Sequence, residues 1–205
     1  MTVTEPIVIV VDDDASFLRS TCRLIQSAGF LTITFASAED FLRSTLPDAP
    51  ACLVLDVHLP GSSGLDLQRQ LERAGISIPI VFMTGHGDIP MSVQAMKAGA
   101  VEFLTKPFHE RDLLGAITQA LERSFAARAE QTKLTELRGL YDSLTPRERE
   151  VMTHVVLGSP NKQIASELGT TEKTIKFHRG HVMHKMLMRS LPELVRASII
   201  LGIHT

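Results

Sequence analysis

The chain has 205 residues, of which 44% are hydrophobic and 21% charged, with a formal net charge of −2 at pH 7. This length predicts one domain of about 120 residues and a smaller one. No apolar run approaches the ~18 residues of a membrane span, and the first residues show no export signal, which excludes a membrane protein and favours a soluble, cytoplasmic one. Cys22 and Cys52 lie in apolar stretches without metal-ligand spacing, which is typical of inert thiols in a reducing compartment.

Charge is distributed unevenly along the chain. Residues 1–120 contain 8 Lys/Arg and 14 Asp/Glu, whereas residues 141–205 contain 9 and 6. An acidic first part indicates a cation site there, and a basic last part indicates a polyanion partner.

The first 105 residues alternate between short apolar runs and amphipathic segments. Strands are predicted at 7–11, 31–35, 52–56, 78–84 and 101–105, and helices from Asp14 or Ser16 to Gly29 and over 37–46, 65–74 and 90–97. A flexible segment, Gly85 to Asp88, follows the fourth strand. Five strands that alternate with helices imply a parallel sheet with right-handed crossovers.

Polar side chains stand where four of these strands end. They are Asp12, Asp13, Asp56, Thr84 and Lys106. A single acid at a strand end could simply cap a turn, but the carboxyl edge of a parallel sheet is also where ligands bind. We therefore expect these five side chains to form one site.

The chemistry of this set points to phosphoryl transfer. Carboxylates from two strands can bind Mg²⁺, which prefers oxygen ligands and bridges to phosphate oxygens. A carboxylate beside the ion can attack a phosphoryl group and form an aspartyl phosphate. Lys106 would neutralise the transferred oxygens, and the Thr84 hydroxyl would donate to one of them.

Residues 1 to about 122 resemble the receiver domain of two-component response regulators. The resemblance rests on VVDDD (10–14), on Asp56, Pro60 and Gly64 in D-x-x-x-P-x-x-x-G, and on TGHGD (84–88), KAGA (97–100) and FLTKPF (103–108). It implies a doubly wound α/β fold whose five parallel strands have the order 2-1-3-4-5.

The same resemblance assigns roles to single residues. Asp56 would accept the phosphoryl group from a sensor histidine kinase. Thr84 and Phe103 would form the switch, and Lys106 would contact the phosphoryl oxygens. The bond between Lys106 and Pro107 is expected to be cis.

A Mg²⁺ ion is also implied by the resemblance. Its ligands would be Asp13, Asp56 and the backbone carbonyl of His58, with Asp12 acting mainly through water. Many relatives carry Arg in place of His58, and since only the backbone is used, we expect an exposed imidazole without a role.

From Glu110 to about Leu140 the pattern is helical. Residues 123–141 are rich in Ala, Glu and Arg, which favours a helical linker over a disordered one. One buried face is predicted from the spacing of Leu113, Leu114, Ile117 and Leu121. A narrow apolar stripe could also pair with a second copy of the chain: Ile117, Leu121 and Phe125, with Leu134 and Leu137 as its extension.

Residues 142–205 form a second, all-α domain in this interpretation. Thr145 caps a helix in which Pro146 takes the first position and Glu148 completes a capping box. Helices are predicted over 146–157, 161–168, 172–187 and 192–201. The second of them, a tight turn and a capped basic helix form the helix-turn-helix pattern.

Residues 142–203 resemble the LuxR-type helix-turn-helix of response regulators of the NarL/FixJ family, through LTPREREV, NKQIASELG, TIKFH, KM and RSLPELV. The whole chain is similar to regulators of aromatic-hydrocarbon catabolism and of nitrogen fixation. Ile175, Val182 and Met186 would face inward. The expected DNA contacts lie on the third helix: Lys173, Thr174, Lys176, Phe177, Arg179 and Lys185.

Some residues of this helix allow alternatives. Phe177 either folds back under the turn or contacts thymine methyl groups, and the contact is favoured. Gly180 costs ~1 kcal/mol relative to Ala in a helix, and its role is left open. His178, His181 and His184 recur every three residues, but without a cysteine or a fourth ligand, buried or backbone-contacting histidines are favoured over a metal site.

Together these patterns predict a transcription regulator and not an enzyme. Phosphorylation on Asp56 would promote a dimer through the face from about Met91 to Leu121, which would bind promoter DNA and, in an activator, work with RNA polymerase. One alternative is a Mg²⁺-dependent phosphohydrolase of the haloacid dehalogenase type with Asp12 as nucleophile, which leaves Asp56 and the second domain unexplained. Another, a sensor of a small autoinducer, needs an enclosed apolar pocket that the receiver pattern does not provide.

Overall fold

The computed structural model describes residues 5–85 and 89–203. The chain divides into two units, Met1–Arg128 and Ala129–Thr205. Residues 86–88 of the predicted flexible segment lie outside the described residues. None of the described helices combines the length and the apolar character that crossing a bilayer requires.

In the described part of the first unit, strands and helices alternate. The strands are β1 (Ile7–Val11), β2 (Leu31–Phe35), β3 (Ala51–Asp56), β4 (Ile80–Thr84) and β5 (Glu102–Thr105). They pair in parallel in the order β2-β1-β3-β4-β5. The predicted doubly wound sheet is confirmed, since each helix returns the chain to the start of the next strand.

The helices of this unit are α1 (Ala15–Ser27), α2 (Ala38–Arg43), α3 (Gly64–Arg73) and α4 (Ile89–Lys97). Helix α2 is shorter than predicted because Ser44 adopts an extended backbone. Strand β4 starts at Ile80 and not at residue 78, because Pro79 has no N–H for the ladder. The helix predicted from Glu110 is present as α5 (Glu110–Asp142).

The two faces of the sheet have separate cores. Ile9, Leu53 and Leu55 face one core, with residues of α2, α3 and α4. Val10 and Val54 face the other, with residues of α1 and α5. Successive strand residues point to opposite faces, so strands covered on both sides must be apolar throughout until they end at the site.

The apolar stripe predicted along α5 for pairing with a second copy is mostly unavailable. Ile117 and Leu121 are 0% and 4% exposed in the core of the first unit, and Leu137 is buried in the core of the second. The prediction is therefore wrong for these three residues, which cover their own sheet or helices. Phe125 stays on the surface.

The described part of the second unit is helical beyond α5. It contains α6 (Pro146–Val156), α7 (Asn161–Glu167), α8 (Glu172–Lys185) and α9 (Leu191–Ile200). The predicted capping box of Thr145 and Glu148 is confirmed, and Thr171 caps α8. Ile175, Val182 and Met186 are buried in the core, as predicted.

Candidate functional site

Three carboxylates meet at the carboxyl ends of β1 and β3. Val11 lies opposite Leu55 in the ladder, so the residues that follow emerge side by side. Asp12 and Asp56 are 0% and 7% exposed, whereas Asp13 is exposed. One oxygen from each lies within 4.8 Å of the others. The sheet therefore brings together the acids that the sequence placed at separate strand ends.

Lys106 reaches into this cluster from the end of β5. Its ammonium donates to Asp12 Oδ2 at 2.5 Å and to Asp56 Oδ2 at 3.0 Å. Burial opposes its charge, but the hydrogen bonds to the two carboxylates outweigh burial and raise the pKa of Lys106. Burial also raises the pKa of Asp12, which the bond from Lys106 only partly offsets. The peptide bond between Lys106 and Pro107 is cis, as predicted.

The aromatic ring of Phe17 contacts the same lysine, which was not predicted from the sequence. The ammonium of Lys106 lies 3.8 Å from the ring centroid of Phe17, within the range of a cation–π contact. Phe17 also packs edge-on against Phe108, with ring centroids 6.0 Å apart. Phe17 lies in the first turn of α1, just after the acids, and this position in the sequence could have predicted that its ring lies near the site.

The acidic cluster offers the carboxylate oxygens that Mg²⁺ prefers as ligands. The oxygens of Asp12 already accept bonds, Oδ1 from Asp14 N at 2.9 Å and Oδ2 from Lys106. Asp56 Oδ1 accepts the backbone N–H of His58 at 3.2 Å. Asp14 is used as the cap of α1, accepting from Ser16 N and Phe17 N, which leaves Asp12, Asp13 and Asp56 as a carboxylate set that fits a hard cation.

The switch candidates are Thr84, which follows the ladder partner of Asp56 by one residue, and Phe103. Thr84 is 0% exposed, and its hydroxyl oxygen lies 3.2 Å from Nδ1 of His58. The imidazole of His58 is exposed, as predicted, and this contact with Thr84 was not expected. Phe103 is half-buried, and its ring centroid lies 6.1 Å from that of Phe82.

Gly64, the last position of the D-x-x-x-P-x-x-x-G motif, lies against the acceptor strand. A Cβ at this position would lie 2.3 Å from the backbone oxygen of Asp56. Helix α3 starts here with a capping box between Ser63 and Asp66. The glycine is required because no side chain fits between the start of α3 and the end of β3.

The predicted DNA contacts on α8 fall into two groups. Lys173, Lys176 and Phe177 are exposed, and Phe177 is 60% exposed, so its ring does not fold into the core. The other three are engaged within the unit: the Thr174 hydroxyl lies 3.0 Å from that of Thr171, Arg179 donates to Asn161 Oδ1 and Lys185 donates to Glu148 Oε2.

The histidines of α8 also depart from expectation. His181 and His184 are exposed, so of the two expected alternatives, buried or backbone-contacting histidines, the buried one does not apply to them. Nδ1 of His181 lies 3.4 Å from Oε1 of Glu148. Nδ1 of the half-buried His178 has no hydrogen-bond partner in the described structure. The three do not form a metal cluster with acids or cysteines among the described residues.

Comparison with known proteins agrees with this geometry. Residues 8–118 match the family model of the response regulator receiver domain, and residues 142–198 match that of the bacterial regulatory proteins of the luxR family. The chain belongs to the two-component response regulators. It carries a receiver domain and a LuxR-type DNA-binding domain.

Relatives of this response regulator match over nearly its whole length. It is 53% identical over 200 residues to Nodulation protein W of Bradyrhizobium diazoefficiens, which covers 98% of this chain and 88% of that protein. It is 40% identical over 199 residues to the transcriptional regulatory protein FixJ of Rhizobium meliloti, covering 97% and 98%. The solved structure of the response regulator StyR is similar with a TM-score of 0.85 and 48% identity, over 96% of this chain and 99% of that one.

Proposed function

We propose that this response regulator is phosphorylated on Asp56 by a sensor histidine kinase and then regulates transcription as a DNA-bound dimer. The domains would be the receiver (1–122), a helical linker (123–141) and the DNA-binding domain (142–205). The observation that carries the proposal is the bonding of the Lys106 ammonium to Asp12 and Asp56 at the sheet edge. This places a fixed positive charge where phosphoryl oxygens would arrive.

In the proposed reaction, a carboxylate oxygen of Asp56 attacks the phosphorus of the kinase phosphohistidine. The O–P bond forms as the P–N bond breaks, the electron pair stays on the ring nitrogen, and the histidine leaves as the neutral imidazole, with its one N–H proton on the ring or taken up from water. Lys106 turns from the carboxylates to a phosphoryl oxygen, and Thr84 donates to another. Asp12, Asp13, Asp56 and the His58 carbonyl would hold Mg²⁺, which when bound neutralises charge on the phosphoryl oxygens.

The proposed switch follows from these two donors. Reversing a 1:99 equilibrium takes about 5.5 kcal/mol of differential binding. Hydrogen bonds to a charged group contribute ~1.5 to 3 kcal/mol each, so Thr84 and Lys106 together can supply roughly this amount. Movement of Thr84 would free space for the ring of Phe103 to turn inward.

Dimerisation is proposed through the face from about Met91 to Leu121. Ile89, Val93 and Met96 form an exposed apolar stripe on α4, at 80%, 45% and 44% exposure, and their spacing puts them on one side of the helix. One small helix-turn-helix reads only a few base pairs, so a dimer is needed for specific binding. The target would be an imperfect inverted repeat with half-sites about 10 base pairs apart.

Promoter contacts are proposed for the exposed side chains of α8. Lys173 and Lys176 would contact phosphates and base edges, and Phe177 would contact thymine methyl groups. Thr174, Arg179 and Lys185 already have partners within the unit, so we rank them behind the first three.

The alternative of a phosphohydrolase with Asp12 as nucleophile is less suited to the geometry. Asp12 and Asp56 both accept hydrogen bonds at both oxygens, but Asp12 is fully buried. Asp56 also accepts a hydrogen bond from Lys106, but it is more accessible to solvent than Asp12.

Intact mass after treatment with acetyl phosphate and Mg²⁺ tests the proposal. We expect one phosphoryl group on the wild type and none on Asp56→Asn, whose amide is nearly isosteric but not nucleophilic. Asp12→Asn should still accept a phosphoryl group at Asp56, more slowly. Undiminished labelling of Asp56→Asn, or rapid multiple turnover that Asp12→Asn abolishes, would refute the assignment in favour of the phosphohydrolase.

A further inference from the structure

The carboxylate of Glu148 joins α6 to the recognition helix α8. It is 3% exposed although it carries charge. Oε2 accepts from the backbone of Thr145 at 2.8 Å and from the ammonium of Lys185 at 2.6 Å. Oε1 lies 3.4 Å from Nδ1 of His181. Because Lys185 and His181 both belong to α8, one buried anion holds one side of this helix against the start of α6.

His181 extends this constraint to the exposed ring of Phe177. The two rings, four residues apart on α8, have centroids 4.1 Å apart at an interplanar angle of 44°. Phe177 also contacts the ring of His178 edge-on, at 5.8 Å. A ring that stands on a helix surface has no core to fix its rotamer, so its neighbours on the helix set its direction.

We propose that Glu148 is a positioning residue for DNA recognition, which acts through His181 to hold the ring of Phe177 in the outward orientation that reads bases. Glu148 itself does not touch DNA. The inference rests on the proposed base contact of Phe177 and adds the residues that preorganise it. A ring that is already held pays less conformational entropy when it docks against a thymine methyl group.

The test uses the full-length protein phosphorylated with acetyl phosphate and Mg²⁺. Its probes are a DNA fragment recovered by selection from a random-sequence library and an unselected fragment of equal length. We expect His181→Ala and Glu148→Gln to lower the preference for the selected over the unselected fragment by roughly three- to tenfold. His181→Tyr should restore binding, because a ring again packs against Phe177.

The double variant separates an action through Phe177 from a direct contact. In a Phe177→Ala background, His181→Ala should cost no further affinity. Additive losses, or equal losses on both fragments, would overturn the inference because His181 would then contact DNA itself. His154→Ala is the matched control: His154 also faces a glutamate, Glu167, at 3.1 Å, and we expect no change in selectivity.

Failure of the proposed function gives a different result. If Phe177→Ala lowers selectivity while the His181 and Glu148 variants do not, only the positioning role is overturned. If Phe177→Ala leaves selectivity unchanged, the base contact is wrong and the positioning role falls with it. Should Glu148→Gln prove unstable, the His181 variants alone decide, since the side chain of His181 is 49% exposed.

Discussion

Nδ1 of His58 lies 3.2 Å from the hydroxyl oxygen of Thr84, across 26 residues of chain. Thr84 is the side chain proposed to donate to the phosphoryl group on Asp56, and His58 follows Asp56 by two residues. In the tautomer whose Nδ1 accepts from the hydroxyl, the hydroxyl must give up this contact before it donates to a phosphoryl oxygen. In that tautomer the contact favours the state before phosphorylation.

We predict that His58→Ala makes this exchange easier. A hydrogen bond of this kind contributes about 1 kcal/mol net, equal to about a fivefold change in an equilibrium constant. The variant should bind beryllofluoride, a phosphoryl mimic, about fivefold more tightly in calorimetric titration with Mg²⁺ present. His109→Ala, which removes an exposed histidine, should behave as wild type. Unchanged or weaker binding by His58→Ala would show that the contact does not oppose the switch.

Gly64→Ala should displace the phosphoacceptor. The added Cβ would lie 2.3 Å from the backbone oxygen of Asp56, and backbone cannot move aside as a flexible side chain can. Since small misplacements of a reacting group are costly, we expect labelling by acetyl phosphate to slow by about 10- to 100-fold. Gly115→Ala serves as the control because a Cβ there meets nothing within 4 Å. Equal rates for the two variants would contradict the steric argument.

Phe17 should contribute to phosphorylation through its contact with Lys106. A cation–π contact at a half-buried site contributes about 1 kcal/mol, so Phe17→Leu should slow labelling by acetyl phosphate about fivefold. Phe17→Tyr keeps an aromatic face under the ammonium and should retain the wild-type rate. If leucine and tyrosine give the same rate, the ring acts only by filling space.

The DNA-binding domain should lose stability in acid because of Glu148. Burial opposes ionisation, but hydrogen bonds from Lys185 and Thr145 outweigh it and lower the pKa of Glu148 from 4.5 to about 2. Because the pKa is lower in the folded protein than in the unfolded chain, the ionised carboxylate stabilises the fold at pH values above the unfolded pKa. This stability is lost as the pH falls from about 4.5 towards 2. The contribution is up to about 3 kcal/mol.

Tyrosine fluorescence can follow this domain alone. The chain contains one tyrosine and no tryptophan, and Tyr141 packs against the core of the second unit. Urea unfolding of Glu148→Gln between pH 2 and 7 should show a weaker pH dependence than the wild type. Glu150→Gln is the control, because Glu150 only makes an exposed pair with Arg147. If the free energy of unfolding of Glu148→Gln falls as steeply with decreasing pH as that of the wild type, the carboxylate of Glu148 is not the cause.

Local sequence patterns were enough to predict the helices and strands and to name the residues at the carboxyl edge of the sheet. Apolar runs that end in Asp12 and Asp56 marked two strands and their carboxyl ends, and parallel pairing then forced these acids together. The capping box of Thr145 and Glu148 was equally visible, since a cap depends on residues three positions apart. Most boundaries moved by one or two residues, and the shifts at Ser44 and Pro79 have a visible cause in the backbone.

Contacts between side chains distant in the chain were decided by the tertiary structure alone. Periodicity shows which face of a helix is buried, but not which residue of another element it meets. The sequence placed Ile117 on a buried face and also in a stripe for a second copy, and only the packing under the sheet decided between the two. It also gave no distant partner to the imidazole of His58 or to the carboxylate of Glu148. The cause is the same in each case: a side chain's partner depends on how two elements pack, and this information is spread over the whole core.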